Sequence, residues 1–179
     1  MPKLVITLGL TIIRGMKRLF IVRHAKSSWN SPYLSDFDRP LNKRGKRDLP
    51  DMANRFLEMG YPVDLIVASP AKRAWVTAKR FAKALDISND NFLDDERFYH
   101  ASTSILMEVI SNIDDSVNNL MIFGHNPGLT SLIGKLSDFN LYNLPTCAVC
   151  GIEFPFDSWR EIQNHQGEKF YYDFPKSRA

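Results

Sequence analysis

Residues 19–26 read Leu-Phe-Ile-Val-Arg-His-Ala-Lys, four apolar side chains followed at once by an arginine and a histidine, and this stretch decides the fold. An apolar run without polar alternation is typical of a strand buried on both faces of a parallel sheet. In open α/β sheets the ligand crevice lies outside the carboxyl ends of the strands. We therefore expect Arg23 and His24 at the mouth of a site, where this pair indicates anion chemistry.

Two later stretches repeat the pattern. Residues 64–68, apolar after Asp64, and the apolar run 120–123 predict buried strands. Ser69-Pro70 follows the first run as a helix start with Arg73 in its first turn, and His125 follows the second. A cation at a helix N-terminus opposes the macrodipole unless an anion lies between them, so Arg73 indicates either an anion site or a solvated side chain.

The apolar residues between these strands recur at helical spacing. The first helix is expected to begin at Asn42, a residue type common at N-caps, and to end at Gly60. Pro50 removes a hydrogen bond inside this helix and clashes with the preceding turn, so we expect a kink or break near Arg47. Strands alternating with helices predict a layered α/β domain with a mostly parallel sheet.

The two ends of the chain are less regular. Residues 148–154 and 159–165 are predicted as strands of a terminal hairpin, and the polar tail after Gly167 is expected to be mobile. The apolar part of residues 1–15 is too short to span a membrane and lacks a small-residue cleavage site. We interpret 1–15 as an extension outside the fold, with a packed extra strand or a weak anchor as alternatives, and 16–179 as a single domain.

Composition excludes several classes of protein. With 179 residues, 44% hydrophobic and 24% charged, the chain matches one soluble globular domain, expected here to be monomeric. A net charge of +3 is too small to indicate nucleic-acid binding. Only Cys147 and Cys150 occur, which is typical of a reducing compartment and predicts a cytoplasmic location. Their apolar, strand-like surroundings favour buried structural thiols over a redox or zinc pair.

Three strand ends could deliver Arg23, His24, Arg73 and His125 to one edge of the sheet. Two guanidiniums can hold phosphate oxygens, and helix N-termini add backbone donors. An imidazole nitrogen can attack phosphorus and form a covalent intermediate that water hydrolyses. His24 is best positioned for that role, with His125 as a second donor, and the scheme needs no metal or other cofactor. Each residue alone would more often be structural, so the prediction depends on their joint placement.

Four stretches carry a resemblance to a known family. They cover the chain from residue 16 to about 154 and are residues 22–26, 38–45, 68–74 with Thr77-Ala78, and 123–127. The chain resembles the histidine phosphatase superfamily, most closely its small SixA-type phosphohistidine phosphatases, although Ala25 stands where many members carry glycine. The resemblance implies a single three-layer α/β domain, with a mostly parallel central sheet flanked by helices, of the phosphoglycerate-mutase-like fold.

The resemblance also implies roles for single residues. His24 would be the phosphorylated nucleophile, and Arg23, Arg73 and His125 would bind the phosphoryl group. Larger members protonate the leaving oxygen with a carboxylate from the segment between the second and third helices. Glu96 is the nearest match in this chain.

Asp95 and Asp38 compete with Glu96 for the role of general acid, and a solvated loop carboxylate is the alternative for Glu96 itself. A phosphoramidate leaves more readily once its nitrogen is protonated, so a SixA-type protein could manage with a weaker acid. Asp36, Asp38, Arg39 and Arg44 lie in or near the loop that should border the site, as mutual ion pairs or as substrate contacts. His100 and His165 are expected to be ordinary surface or half-buried histidines.

The favoured function is a metal-independent phosphatase that acts through phosphohistidine at His24 on a phosphorylated histidine of a protein. The short chain leaves few residues for a lid, so an open site is expected. A small phosphoester or sugar phosphate is the alternative substrate, and a phosphate-binding interaction module with weak turnover is the alternative from another class. A zinc site of His24, His125 and Glu96 would place the cation beside two repelling arginines.

Overall fold

The computed structural model describes residues 15–29 and 33–178, so the interpretation of 1–15 as an extension lies almost wholly outside the described residues. The elements follow one another in the order β1 (Lys17–Arg23), α1 (Lys43–Glu58), β2 (Leu65–Ala68), α2 (Lys72–Ala84), β3 (Phe92–Asp94), α3 (Thr103–Ser111), β4 (Asn119–Gly124), α4 (Gly128–Leu136), β5 (Val149–Phe154) and β6 (Glu168–Asp173). Short 3-10 helices cover Asn89–Asn91, Glu96–Phe98 and Trp159–Gln163.

The strands of the described residues form one six-stranded sheet in the order β3-β2-β4-β1-β5-β6. β1, β2, β3 and β4 are parallel, whereas β5 is antiparallel to β1 and β6 to β5. β4 lies between β1 and β2, so the chain first passes outward from β1 to β2 and β3 and then returns to insert β4 between β1 and β2. The carboxyl ends of β1 and β4 are therefore neighbours, which is the position where open α/β sheets bind ligands.

Helices cover both faces of the sheet, which confirms the three-layer α/β prediction. Leu19 and Ile21 of β1 pack in the core that contains α3 and α4, and Phe20 and Val22 pack in the core that contains α1 and α2. All four side chains are completely buried. Because successive strand residues point to opposite faces, burial on both faces explains why β1 lacks a polar residue at every second position.

The predicted break near Arg47 is wrong, because α1 continues as one helix through Pro50. The helix buries Leu49, Met52 and Phe56 on both sides of the proline. Each such side chain contributes about 1.5–3 kcal/mol on burial. Together they outweigh the roughly 3 kcal/mol that an interior proline costs a helix.

The predicted strand over 159–165 is also wrong, since Trp159–Gln163 forms a 3-10 helix. Trp159 and Ile162 are buried in the core beside α3, and the Trp159 indole N–H donates to the carbonyl oxygen of Val117 at 2.7 Å. Their spacing of three residues fits a helical turn that buries one side, and strand alternation would have pointed them to opposite faces.

The tail after Gly167 is an ordered strand and the expectation of mobility is wrong. Residues Glu168–Asp173 pair with β5, and Tyr171 is buried against α1. Gly167 permits the close approach, because a Cβ there would lie 2.5 Å from the carbonyl oxygen of Glu153. The second strand of the terminal hairpin is therefore β6.

Both cysteines are free and buried, as expected of structural thiols. Burial raises the pKa of Cys150 to about 12 and raises that of Cys147 as well, so neither is a reactive thiolate. Among the helices of the described ranges, none has the length and apolar content needed to cross a bilayer.

Candidate active site

A pocket of about 260 Å³ opens at the carboxyl ends of the parallel strands, and we call it the strand-end pocket. Its lining residues are Arg23, His24, Lys26, Ser27, Trp29, Asp36, Arg39, Arg73, His100, His125, Asn126 and Thr146. The structure thus brings together the four residues predicted to meet there from three separate strand ends. A groove of about 400 Å³ adjoins it and shares Arg23, Lys26 and Thr146.

His24 follows β1 directly and its ring is buried. Its Nδ1 lies 2.8 Å from the carbonyl oxygen of Ala25. A carbonyl can only accept, so Nδ1 carries the hydrogen and the lone pair resides on Nε2. Burial, with the positive charges of Arg73 and Arg23 adding to it, lowers the pKa of His24 to about 3. His24 is therefore neutral near pH 7 and has a free nucleophilic nitrogen.

The backbone around His24 is tied to its neighbours. The Ala25 N–H donates to the Thr77 hydroxyl at 3.0 Å, and that hydroxyl donates to the backbone carbonyl of Arg73 at 2.7 Å. Gly45 allows α1 to approach from the other side, because a Cβ there would lie 2.2 Å from the Lys26 carbonyl oxygen. His24 and Arg73 are thus held in fixed relation.

His125 follows β4 and its ring centroid is 5.1 Å from that of His24. Its Nε2 lies 2.9 Å from the Ser69 hydroxyl, whereas its buried Nδ1 has no hydrogen-bond partner among the described residues. Burial, followed by the neighbouring His24 and Arg73, lowers the pKa of His125 to about 2. The unpartnered nitrogen is a group that a ligand can satisfy.

The two arginines also have a side-chain nitrogen without a hydrogen-bond partner among the described residues. Arg23 donates from Nη1 to the Leu144 carbonyl oxygen at 2.7 Å, and Arg73 donates from Nη2 to the Asp36 carboxylate at 2.9 Å. The Nε of each is buried without a partner in the described part of the chain. Because buried polar groups are normally paired, three unpartnered atoms on His125, Arg23 and Arg73 indicate that the pocket binds an acceptor-rich anion.

Asp36 lies in the loop between β1 and α1 and lines the strand-end pocket. Its carboxylate accepts hydrogen bonds from Arg39 at 2.7 Å, Arg73 at 2.9 Å and the Tyr99 hydroxyl at 2.9 Å. Partial burial raises its pKa, but these three hydrogen bonds outweigh that effect and hold the pKa far below the usual range. His100 adds an Nε2 that lies 3.4 Å from the same carboxylate.

The four charged residues predicted to lie in or near this loop do not form one network of ion pairs. Asp36 pairs with Arg39, whereas Arg44 lies 3.8 Å from Asp48 on its own helix. Asp38 accepts from the Ser35 hydroxyl instead. Asp36 and Arg39 line the pocket; Asp38 and Arg44 do not.

The three candidate acids all lie outside the lining of the strand-end pocket. Glu96 is exposed in its 3-10 helix, and Asp95 accepts from the Arg97 guanidinium at 2.7 Å. His100, which was expected to be an ordinary histidine, does line the pocket, while His165 is exposed elsewhere.

The sequence reasoning missed His100, Tyr99 and Ser69 as residues of the site. Ser69 could have been found, because it directly follows a buried strand. Tyr99 and His100 come from an irregular segment with no periodic signal. Within the described residues, no three His, Cys, Asp or Glu side chains are grouped so that they could hold a metal ion.

Comparisons with known proteins identify the family of the chain. Residues 19–99 match the model of the histidine phosphatase superfamily, branch 1. An uncharacterised chloroplastic protein of Arabidopsis thaliana is 30% identical over 153 residues, covering 81% of this chain and 70% of the relative. An uncharacterised protein of Mycobacterium tuberculosis is 33% identical over 112 residues, covering 62% of this chain and 66% of the relative.

Solved structures share the fold. A protein of Agrobacterium tumefaciens, provisionally assigned as the phosphohistidine phosphatase SixA, has a TM-score of 0.74 at 23% identity, covering 89% of this chain and 98% of that one. The protein histidine phosphatase SixA complexed with tungstate gives 0.74 at 18% identity, covering 88% and 97%. A mycobacterial glucosyl-3-phosphoglycerate phosphatase gives 0.61 at 13% identity, covering 87% and 97%.

Proposed function

Since the chain belongs to the histidine phosphatase superfamily, and its chemical class is therefore that of a phosphatase, we propose that it is a metal-independent enzyme that removes phosphate from phosphohistidine on a protein. One observation carries the proposal. A neutral His24 with its lone pair on Nε2 lies in the same pocket as unpartnered buried nitrogens of Arg23, Arg73 and His125.

The first step of the proposed reaction is attack on phosphorus. His24 Nε2 forms a bond to phosphorus while the bond to the leaving nitrogen or oxygen breaks. Arg23, Arg73 and His125 hold the phosphoryl oxygens, on which charge is concentrated. Positioning and electrostatic stabilisation supply most of the catalysis in phosphoryl transfer, and buried donors that need no rearrangement do this best.

The second step is hydrolysis of the phosphohistidine at His24. Water attacks phosphorus, and the P–N bond breaks with its electron pair returning to Nε2. The low pKa of His24 supports this step, because an imidazole that disfavours its charged form is also a better leaving group.

Access to the pocket favours a protein substrate. The adjoining groove carries Lys26, Arg44 and Lys176, with Phe174 beside them. Trp29 at the pocket rim is 74% exposed. Aromatic side chains and arginine are enriched at surfaces that bind proteins. The SixA proteins that share this fold are named for action on protein phosphohistidine, which supports the same substrate class.

The test is hydrolysis of a phosphohistidine-bearing peptide, a sugar phosphate and an aryl phosphate in the presence of a chelator. We expect turnover of the peptide and the aryl phosphate, with the peptide preferred. The substitution His24→Ala should lower turnover by about 10³-fold or more, as loss of a covalent nucleophile does. The control His165→Ala removes an exposed histidine away from the pocket and should leave turnover unchanged.

Three results would contradict the proposal. Turnover that disappears with the chelator and returns with added metal would exclude the metal-independent scheme. Tight binding of phosphate without turnover of any of the three substrates would identify a phosphate-binding module instead, and preference for the sugar phosphate would reassign the substrate.

A further inference from the structure

His100 lies at the solvent-facing rim of the strand-end pocket. Its side chain is 61% exposed, whereas His24 and His125 are buried. Its ring centroid is 6.1 Å from that of His125. A leaving group that departs from phosphorus must exit through the open side of the pocket, so a proton donor for it is expected at this rim.

The position of His100 is held by its neighbours. Its Nε2 lies 3.4 Å from the Asp36 carboxylate, and its ring packs on Tyr99 with centroids 4.1 Å apart. The groups that face it are Asp36, Tyr99 and His125. Arg73 donates to the same Oδ2 of Asp36 that His100 approaches, and Arg39 donates to Oδ1. The Asp36 carboxylate and the Tyr99 ring thus fix the orientation of the imidazole at the rim.

No carboxylic acid is free to do the same work in the pocket. Among the lining residues that the structure describes, Asp36 is the one carboxylate, and it accepts hydrogen bonds from two arginines and a tyrosine. These bonds stabilise its ionised form, which has no proton to give. An imidazole is one of the side chains that can both give and take a proton in catalysis, and His100 is the one at the open side of the pocket.

We propose that His100 is the acid–base residue of this site and that Asp36 is its positioning residue, a proposal that rests on the phosphatase function above. As His24 Nε2 bonds to phosphorus, the bond to the leaving atom breaks, and its electron pair takes the proton from His100 Nδ1. In the second step the attacking water gives a proton back to Nδ1 as the P–N bond to His24 breaks. The cycle restores the protonated His100 and the neutral His24.

The test compares p-nitrophenyl phosphate with phenyl phosphate, because the first leaves without help and the second needs a proton. The variant is His100→Asn, since asparagine tolerates the positive φ of 52° found at this position. We expect kcat/KM for phenyl phosphate to fall by about 100-fold, within the range of general acid catalysis. The fall for p-nitrophenyl phosphate should be less than about tenfold.

The pH profile gives an independent readout. The wild-type protein and His100→Asn should differ in the shape of their pH profiles on phenyl phosphate, because the variant lacks the proton-donating imidazole. The variant His100→Asp also suits the positive φ and restores a proton donor, so it should recover part of the activity on phenyl phosphate at low pH. The control His165→Asn should behave as the wild-type protein with both substrates.

Equal losses on the two substrates would overturn the assignment and leave His100 a structural residue. The same holds if neither rate changes. If the wild-type protein does not hydrolyse p-nitrophenyl phosphate, the result counts against the phosphatase function instead. The wild-type rate is therefore measured before any variant is compared. Urea unfolding midpoints of each variant separate loss of folding from loss of proton transfer.

Discussion

The two sides of the strand-end pocket use their polar groups differently. On the strand side, Arg23, Arg73 and His125 each keep a buried nitrogen without a partner among the described residues. On the loop side, Arg39 engages all three of its side-chain nitrogens, with Asp36, Ser27 and the Ser28 backbone. Unused buried donors predict where a ligand binds, and saturated ones predict where the structure holds itself together.

The sharpest way to break this comparison is to remove one guanidinium from each side. Arg73→Gln should lower kcat/KM by about 10²–10³-fold, because it removes a preorganised donor to the phosphoryl group. Arg39→Gln should cost less than about tenfold in rate and act mainly on stability, since its donors contact protein atoms. Steady-state kinetics and urea unfolding of both variants test the contrast, and equal kinetic losses would abolish the distinction between the two sides.

Acid stability tests the strand side separately. His24 and His125 have pKa values of about 3 and about 2 in the folded protein, well below the ordinary value near 6.5. As pH falls below 6.5, the unfolded chain takes up protons that the folded chain resists, so unfolding is favoured. Each histidine should remove about 1.4 kcal/mol of stability for each pH unit between 6.5 and 4.

His125→Asn should therefore roughly halve the slope of unfolding free energy against pH over that range, measured by urea titration. Asp36 cannot mimic this slope, because a carboxylate with a lowered pKa contributes stability that is lost only below its unfolded value near 3.8. A slope unchanged in the variant would mean that His125 is protonated in the folded protein.

The smallest expected effect concerns the ion pair between Asp36 on the loop side and Arg73 on the strand side. In the free pocket the Asp36 carboxylate binds Arg73 through a hydrogen bond of 2.9 Å, so an incoming phosphoryl group competes with it. Asp36→Asn keeps an acceptor oxygen and removes the charge. Inorganic phosphate should then inhibit about three- to tenfold more tightly, as expected for the loss of one partly screened charge. Weaker inhibition would show that Asp36 supports phosphate binding.

The strand side was largely predictable from the sequence, and the loop side was not. Apolar runs that end in Arg23, His24 and His125 are local signals, and a parallel sheet brings such ends together. Asp36 and Tyr99 meet across 63 positions of irregular chain, where no periodicity specifies contact. The role of Asp36 and the position of His100 therefore required the structure.

The errors outside the site have the same origin. The spacing of Trp159 and Ile162 fits a 3-10 turn, and only the core beside α3 decides between that turn and a strand. Helix α1 runs through Pro50 because tertiary burial outweighs a local penalty. Local sequence pattern determined the strands β1, β2 and β4 inside the sheet. Tertiary contacts determined the 3-10 helix at Trp159–Gln163 and the continuity of α1, which pack on the faces of the sheet.

The most direct test of the account is to identify the covalent intermediate. A single turnover with labelled phosphohistidine peptide is quenched at short times in base, where phosphohistidine survives, and the labelled residue is located by mass spectrometry. We predict a phosphoryl group on His24 that appears and decays at the rate of turnover and is missing in His24→Ala. A label on another residue, or turnover without any label on His24, would contradict the assignment of His24 as the nucleophile.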